Sequence, residues 1–79
     1  MRVLLVEDEA PLRETLAARP KREGFAVDMA ADGEEGLYLG TEVPFGVAII
    51  DLGLPKQSGS ALIADLRAAA TRSTPPIPP

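Results

Sequence analysis

The feature that most constrains the fold is the alternation of three short strand-like segments with segments of helical character. RVLLV (Arg2–Val6) and VAII (Val47–Ile50) are apolar on both faces, as expected for strands inside a parallel sheet. Phe25–Met29 alternates between apolar and polar positions and predicts a strand with one partly solvated side. The order β-α-β-α-β-α predicts an α/β fold with a parallel sheet and right-handed crossovers.

The first predicted helix contains a proline where an aliphatic side chain is expected. Pro11 suits a first helical turn, and Gly24 is a plausible stop signal. Pro20, however, follows Leu16 by four residues on the apolar stripe. A proline inside a helix costs about 3 kcal/mol. The sequence therefore predicts that this helix ends near Arg19 or kinks.

The other two helices are predicted from capping residues. Asp32 is expected to cap a short helix over Glu34–Leu39, which Gly36 within it and Gly40 after it weaken. Ser58 or Ser60 is expected to cap a third helix that ends at about Ala69. The inner face of that helix is predicted to hold Leu62, Ile63 and Leu66.

Composition limits the function classes. The 79 residues suffice for one small domain, predicted over residues 1–70, and the proline-rich segment 71–79 is predicted to be disordered. Cysteine and histidine are both absent from the sequence, which excludes thiolate and imidazole chemistry. The net charge of −4 argues against direct nucleic-acid binding, and no apolar stretch has the length of a membrane span. We expect a soluble, cytoplasmic protein without a signal peptide.

Acidic residues follow two of the predicted strands. Glu7 and Asp8 come after the first strand, and Asp51 comes after the third. Carboxyl ends of parallel strands meet at one edge of the sheet, where crowded carboxylates repel each other unless a cation lies between them. Mg²⁺ prefers such oxygen ligands, and Gly53 lets the following loop bring a backbone carbonyl close. Asp51 could then also serve as a nucleophile that takes a phosphoryl group.

Two alternatives stay open for these residues on sequence grounds. Glu7 and Asp8 could simply stabilise the start of a helix, and Asp51 could form a turn at a strand end. Lys56, on the loop after Asp51, is predicted to be a solvated surface charge.

Two longer motifs resemble one protein family. VLLVEDE followed by VAIIDLGLPKQSG is similar to the receiver domain of two-component response regulators, in particular to receivers that precede a winged-helix DNA-binding domain. The resemblance runs from Met1 to about Leu66 and includes ADGEEGL at 31–37. Its most specific part is D-x-x-L-P-x-x-x-G, written here as Asp51, Leu54, Pro55 and Gly59.

The resemblance implies a fold and a set of roles. The fold is a truncated flavodoxin-like one with strand order 2-1-3, in which the family's strands 4 and 5 are absent from this chain. Asp51 is implied as the phosphoacceptor, and Glu7, Asp8, Asp51 and the Gly53 backbone carbonyl as ligands of Mg²⁺. The phosphoryl donor is implied to be a phosphohistidine of a sensor histidine kinase. The output is implied to be transcription, through a domain absent here.

Other functions are weighed beside this one. In the family the fourth strand ends in a switch Ser or Thr and the fifth in a Lys, and neither has a counterpart in this chain. The open edge of the third strand predicts self-association, as a homodimer or by strand exchange, or partial disorder. A degenerate receiver that only binds partners is therefore the alternative. A phosphohydrolase is disfavoured because Gly53 stands where such enzymes place a second Asp, so we expect no enzyme. A dinucleotide site is disfavoured because no G-x-G-x-x-G follows the first strand.

Overall fold

The computed structural model describes residues 1–73 and shows three parallel strands with three helices. The strands are β1 (Arg2–Val6), β2 (Ala26–Ala30) and β3 (Val47–Ile50), and their order in the sheet is β2-β1-β3. In this register Val3 of β1 lies between Val27 and Val47. The predicted α/β class and the strand order 2-1-3 are confirmed. The predicted bounds hold for β1 and β3, whereas β2 begins one residue later than predicted.

The helices α1 (Ala10–Arg22), α2 (Gly33–Glu42) and α3 (Gly59–Ser73) cover the two faces of the sheet. Leu4 and Val6 of β1 point into a core shared with Leu62 of α3, and all three are fully buried. Val3 and Leu5 point to the opposite face, where α1 packs on β1 and β2. Each such aliphatic side chain contributes about 1.5–3 kcal/mol through burial.

The first helix passes through Pro20, so of the two predicted outcomes the end near Arg19 is wrong, and the kink stays a prediction. It continues to Arg22, and Gly24 then adopts a φ of 90°. The amide of Gly24 donates to the Lys21 carbonyl (3.1 Å), and that of Phe25 donates to the Pro20 carbonyl (3.0 Å). These bonds form a Schellman motif, in which the last helical carbonyls find partners beyond the helix. Pro20 lies in the last turn of α1, and its carbonyl accepts the amides of Glu23 and Phe25 in this ending.

The second helix is longer than predicted, and one of its glycines packs closely against β1. Asp32 caps it as expected, with Oδ1 accepting the Glu35 amide at 2.8 Å. A Cβ at Gly36 would lie 2.9 Å from Cγ2 of Val6, so glycine is what lets α2 approach β1. This close packing offsets the low helix propensity of Gly36. The helix runs to Glu42 rather than to Leu39.

The third helix begins as predicted and ends later. Oγ of Ser58 accepts the Ala61 amide at 3.2 Å, which confirms Ser58 as the capping residue. Leu62 is buried, and Ile63 and Leu66 are half-buried, in agreement with the predicted inner face. The helix reaches Ser73, whereas residues 74–79 of the predicted tail lie outside the described residues. The division of the chain at residue 70 stays a prediction.

None of the helices within residues 1–73 combines the length and the apolar character that crossing a bilayer requires.

Candidate metal and phosphoacceptor site

The loop from β1 to α1 carries the first two acidic residues. The Glu7 amide donates to the Ala30 carbonyl at 3.0 Å, which extends the pairing of β1 with β2 by one residue. Oε2 of Glu7 accepts the Asp8 amide at 2.8 Å, and Nη1 of Arg13 donates to the Glu7 carbonyl at 2.8 Å. Glu7 is 5% exposed, so this carboxyl group lies almost entirely within the protein.

The end of β3 places the third acidic residue beside the first two. The Asp51 amide donates to the Val6 carbonyl at 3.0 Å, so the β1–β3 pairing continues up to the residue that carries this carboxylate. Oδ1 of Asp51 accepts the Gly53 amide at 3.1 Å. The Leu52 carbonyl accepts the Gly59 amide at 3.0 Å, which joins the start of α3 to the backbone next to Asp51.

The three carboxylates converge as the sequence predicts. One oxygen each from Glu7, Asp8 and Asp51 can be chosen so that all lie within 4.8 Å of one another. Glu7 is buried, Asp51 is half-buried and Asp8 is exposed, so the cluster opens to solvent on one side. Hard oxygen ligands from two separate loops, with room for water on the open side, match the coordination of Mg²⁺.

The electrostatics of the cluster agree with a cation site. Loss of hydration raises the pKa of Glu7 above its usual value, and the neighbouring Asp8 and Asp51 carboxylates raise it further. The Gly53 amide lowers the pKa of Asp51, and a hydrogen bond with Glu7 lowers it further. Without a cation, the crowding therefore disfavours the ionised form of Glu7 more than that of Asp51. A divalent cation at the cluster would offset this repulsion.

The capping alternative for the acid pair does not match the helix start. The N-cap of α1 is Glu9, which makes no side-chain capping bond, and no acid lies in the first turn. The side chain of Glu7 instead bonds to the Asp8 amide, before the helix begins. The acid pair therefore belongs to the cluster rather than to the helix terminus.

The loop after Asp51 contains Gly53, which contacts Asp51, and Lys56, which contacts the start of α2. Gly53 is exposed and contributes its amide to Asp51, and the use of its carbonyl as a metal ligand stays a prediction. Lys56 has a side chain that is 59% exposed, as predicted, but it is not a lone charge. Its Nζ lies 3.4 Å from Oδ2 of Asp32 and 3.8 Å from Oε2 of Glu34, at the start of α2.

Sequence reasoning did not predict the contact of Arg13 with the acid-bearing loop. The available signal is the position of a cation in the first turn of α1, where the helix dipole disfavours positive charge. Such a placement indicates that the side chain has a partner outside its own helix.

Comparison with known proteins gives the same family for most of the chain. Residues 3–77 match the sequence profile of the response regulator receiver domain. The two-component response regulator PhoP of Pseudomonas aeruginosa is 49% identical over 67 residues, which are 85% of this chain and 30% of PhoP. The chain thus spans less than a third of that relative.

Solved structures share the fold. The receiver domain of the hybrid histidine kinase CckA is 33% identical, with a TM-score of 0.82 over 90% of this chain and 68% of that one. The histidine kinase ThkA in complex with the response regulator protein TrrA gives a TM-score of 0.79 at 33% identity, over 85% of this chain and 58% of that one. With the three acids at the sheet edge, these matches show that the chain belongs to the response regulator receiver domain family.

Proposed function

We propose that this chain is a phosphoacceptor module in which Asp51 takes a phosphoryl group from a phosphohistidine of a sensor histidine kinase. The observation that carries the proposal is the meeting of Glu7, Asp8 and Asp51 within 4.8 Å at one edge of the sheet. The ThkA complex supports a kinase as the partner, because there a chain similar to this one is bound to a histidine kinase.

The transfer requires an ionised, oriented carboxylate. An oxygen of Asp51 attacks phosphorus while the bond from phosphorus to the imidazole nitrogen breaks, and the electron pair of that bond stays on the nitrogen. The lowered pKa of Asp51 keeps the nucleophile ionised, and the Gly53 amide at 3.1 Å orients it. The product is an aspartyl phosphate.

The same cluster would hold Mg²⁺ through Glu7, Asp8, Asp51 and the backbone carbonyl of Gly53. When bound, Mg²⁺ supplies positive charge that neutralises the phosphoryl oxygens. The buried Glu7 would hold the ion from inside the protein, whereas the exposed Asp8 lies on the open side of the cluster, where the incoming phosphoryl group would have space.

The output follows from the relatives. PhoP is named a two-component response regulator, and this chain matches less than a third of it. We propose that a protein carrying this domain acts in the cytoplasm as a non-enzymatic signalling module and controls transcription through an output domain.

Phosphorylation by a small acyl phosphate tests the proposal. The chain is incubated with Mg²⁺ and acetyl phosphate, and intact-mass spectrometry should show one added phosphoryl group. Asp51→Asn should abolish the modification, whereas the control Glu42→Gln, an exposed acid at the far end of α2, should leave it unchanged. A phosphoryl group that persists in Asp51→Asn would contradict the assignment, as would no modification of any variant.

A second candidate is an interaction module that self-associates without phosphotransfer. Within residues 1–73, β3 pairs with β1 on one side only, and Val47 and Ile49 remain 44% and 38% exposed. A strand edge in this state pairs readily with another chain. Sedimentation should then show a dimer that Ile49→Lys disrupts, and a monomer at every concentration would contradict this candidate.

A further inference from the structure

Arg13 links the start of α1 to the loop that carries the acid pair, and this link is separate from the acids themselves. Its Nη1 donates to the backbone carbonyl of Glu7 at 2.8 Å, in a partly buried position. The amide of Glu7 is already bonded to the Ala30 carbonyl at 3.0 Å. Both backbone groups of Glu7 therefore have partners, one from β2 and one from Arg13.

The usual connection between a helix start and the loop before it is missing here. Glu9, the N-cap, makes no side-chain bond to the first turn of α1. The helix begins instead with the Arg13 amide donating to the Glu9 carbonyl at 2.8 Å. Arg13 thus makes two hydrogen bonds to this loop: its backbone amide donates to the Glu9 carbonyl and its side chain donates to the Glu7 carbonyl. Asp8 lies between these two points.

The positive charge of Arg13 near the start of α1 does not stabilise the helix. A cation in the first turn opposes the helix dipole. A cation beside the acid cluster also opposes the binding of another cation by simple repulsion. The acids attract the Arg13 charge in the metal-free chain, but that charge weakens the binding of a further cation unless the bond to the Glu7 carbonyl holds the metal ligands in place.

We infer that Arg13 is a positioning residue for the metal site: it holds the Glu7–Glu9 loop so that the Glu7 and Asp8 carboxylates face Asp51. The inference rests on the proposed function, because it concerns the metal ligands proposed there. Residues that hold metal ligands in place affect affinity by about 10- to 100-fold. Removing the Arg13 charge would strengthen Mg²⁺ binding, whereas removing its bond to the loop would weaken it. The direction of the change in affinity therefore tests the inference.

Direct Mg²⁺ binding to the 79-residue chain is the measurement, made by titration and followed through backbone amide NMR signals. Arg13→Met should weaken Mg²⁺ binding about 10-fold or more, although it removes a repelling charge. Arg13→Lys retains a donor on a long side chain and should restore most of the affinity. The control Arg22→Met removes the same charge from the exposed far end of α1 and should bind Mg²⁺ like the wild type.

Hydrogen exchange of the metal-free chain supplies a second readout. In Arg13→Met the Asp8 amide, now bonded to Oε2 of Glu7, should exchange faster, while the Leu4 amide in the sheet should be unchanged. Faster exchange at both amides would mean general destabilisation and would overturn the inference.

The outcomes separate the two proposals. If the wild type binds Mg²⁺ and Arg13→Met binds it equally well or more tightly, the positioning role is wrong and the metal site stands. If the wild type itself fails to bind Mg²⁺, the proposed metal site is wrong and the positioning role falls with it.

Discussion

Gly59→Ala tests whether the start of α3 must touch the backbone that carries Asp51. A Cβ built on Gly59 would lie 2.6 Å from Cα of Leu52 and 2.9 Å from the carbonyl carbon of Asp51. These are backbone atoms held by the bond from the Gly59 amide to the Leu52 carbonyl (3.0 Å), so no flexible side chain can yield. Either α3 or the Asp51 loop has to move.

The expected cost follows from this overlap. Overpacking of a well-packed site costs about 1–3 kcal/mol, and the better helix propensity of alanine returns at most about 1 kcal/mol. In a domain of this size, 1 kcal/mol shifts the thermal midpoint by about 4–8 °C. The middle of the first range less the full alanine gain leaves a net cost of about 1 kcal/mol. We therefore expect Gly59→Ala to lower the midpoint by about 4–8 °C, and to weaken Mg²⁺ binding because Asp51 is displaced.

Gly53→Ala is the matched control in the same loop. A Cβ there finds its nearest neighbour, Oδ1 of Asp51, at 3.9 Å, which is ordinary contact. The Gly53 amide that bonds to Asp51 is also retained. Thermal unfolding followed by circular dichroism should therefore place Gly53→Ala within about 0.5 kcal/mol of the wild type. Equal stability of Gly59→Ala and Gly53→Ala would refute the argument from close approach.

Three further substitutions probe the core, a strained loop residue and a helix cap. Leu62→Ala empties a fully buried position and should cost about 2–5 kcal/mol in chemical denaturation, and a loss below 1 kcal/mol would mean that the core is mobile. Lys56→Gly relieves a φ of 69° and should stabilise the fold by about 0.5–1 kcal/mol in the same assay, because the exposed ion pairs that it removes contribute little. A less stable variant would show that the contacts of Lys56 with Asp32 and Glu34 outweigh the backbone strain. The Glu35 amide, and then Lys56, lower the pKa of Asp32, so its charge stabilises the fold at neutral pH and ceases to do so as pH falls through that lowered value. The thermal midpoints of Asp32→Asn and wild type should therefore differ at neutral pH and converge as the pH falls through the lowered pKa of Asp32, and a constant difference would contradict the assignment.

The features predicted from sequence are those set by local pattern. β1 and β3 were predictable because apolar residues fill both faces of these strands, and a parallel arrangement brings their carboxyl ends together. The meeting of Glu7 and Asp8 with Asp51 then follows from geometry alone. Asp32 was predictable, and the cap of α3 was narrowed to Ser58 or Ser60, because a capping bond joins residues three positions apart.

The features that could not be predicted depend on contacts between distant segments. Gly36 weakens a helix by its own propensity, and only the nearby Val6 shows that the position requires it. Pro20 by itself predicts a break in the helix, and only the hydrogen bonds of Gly24 and Phe25 show that the helix continues to Arg22. Arg13 looks like any surface charge until its partner, a backbone carbonyl six residues earlier, is known. The chain therefore reveals the acids of its site more readily than the residues that hold them.

The central place of β1 has a consequence for the chain while it is being synthesised. β1 is the most deeply buried strand, yet its two pairing partners follow it by about 24 and 44 residues. At about 5–20 residues per second, a ribosome needs roughly 2–9 s between making β1 and making β3. The aliphatic RVLLV segment therefore lacks β2 for roughly 1–5 s and β3 for the whole interval, which makes it the segment that a chaperone would have to shield.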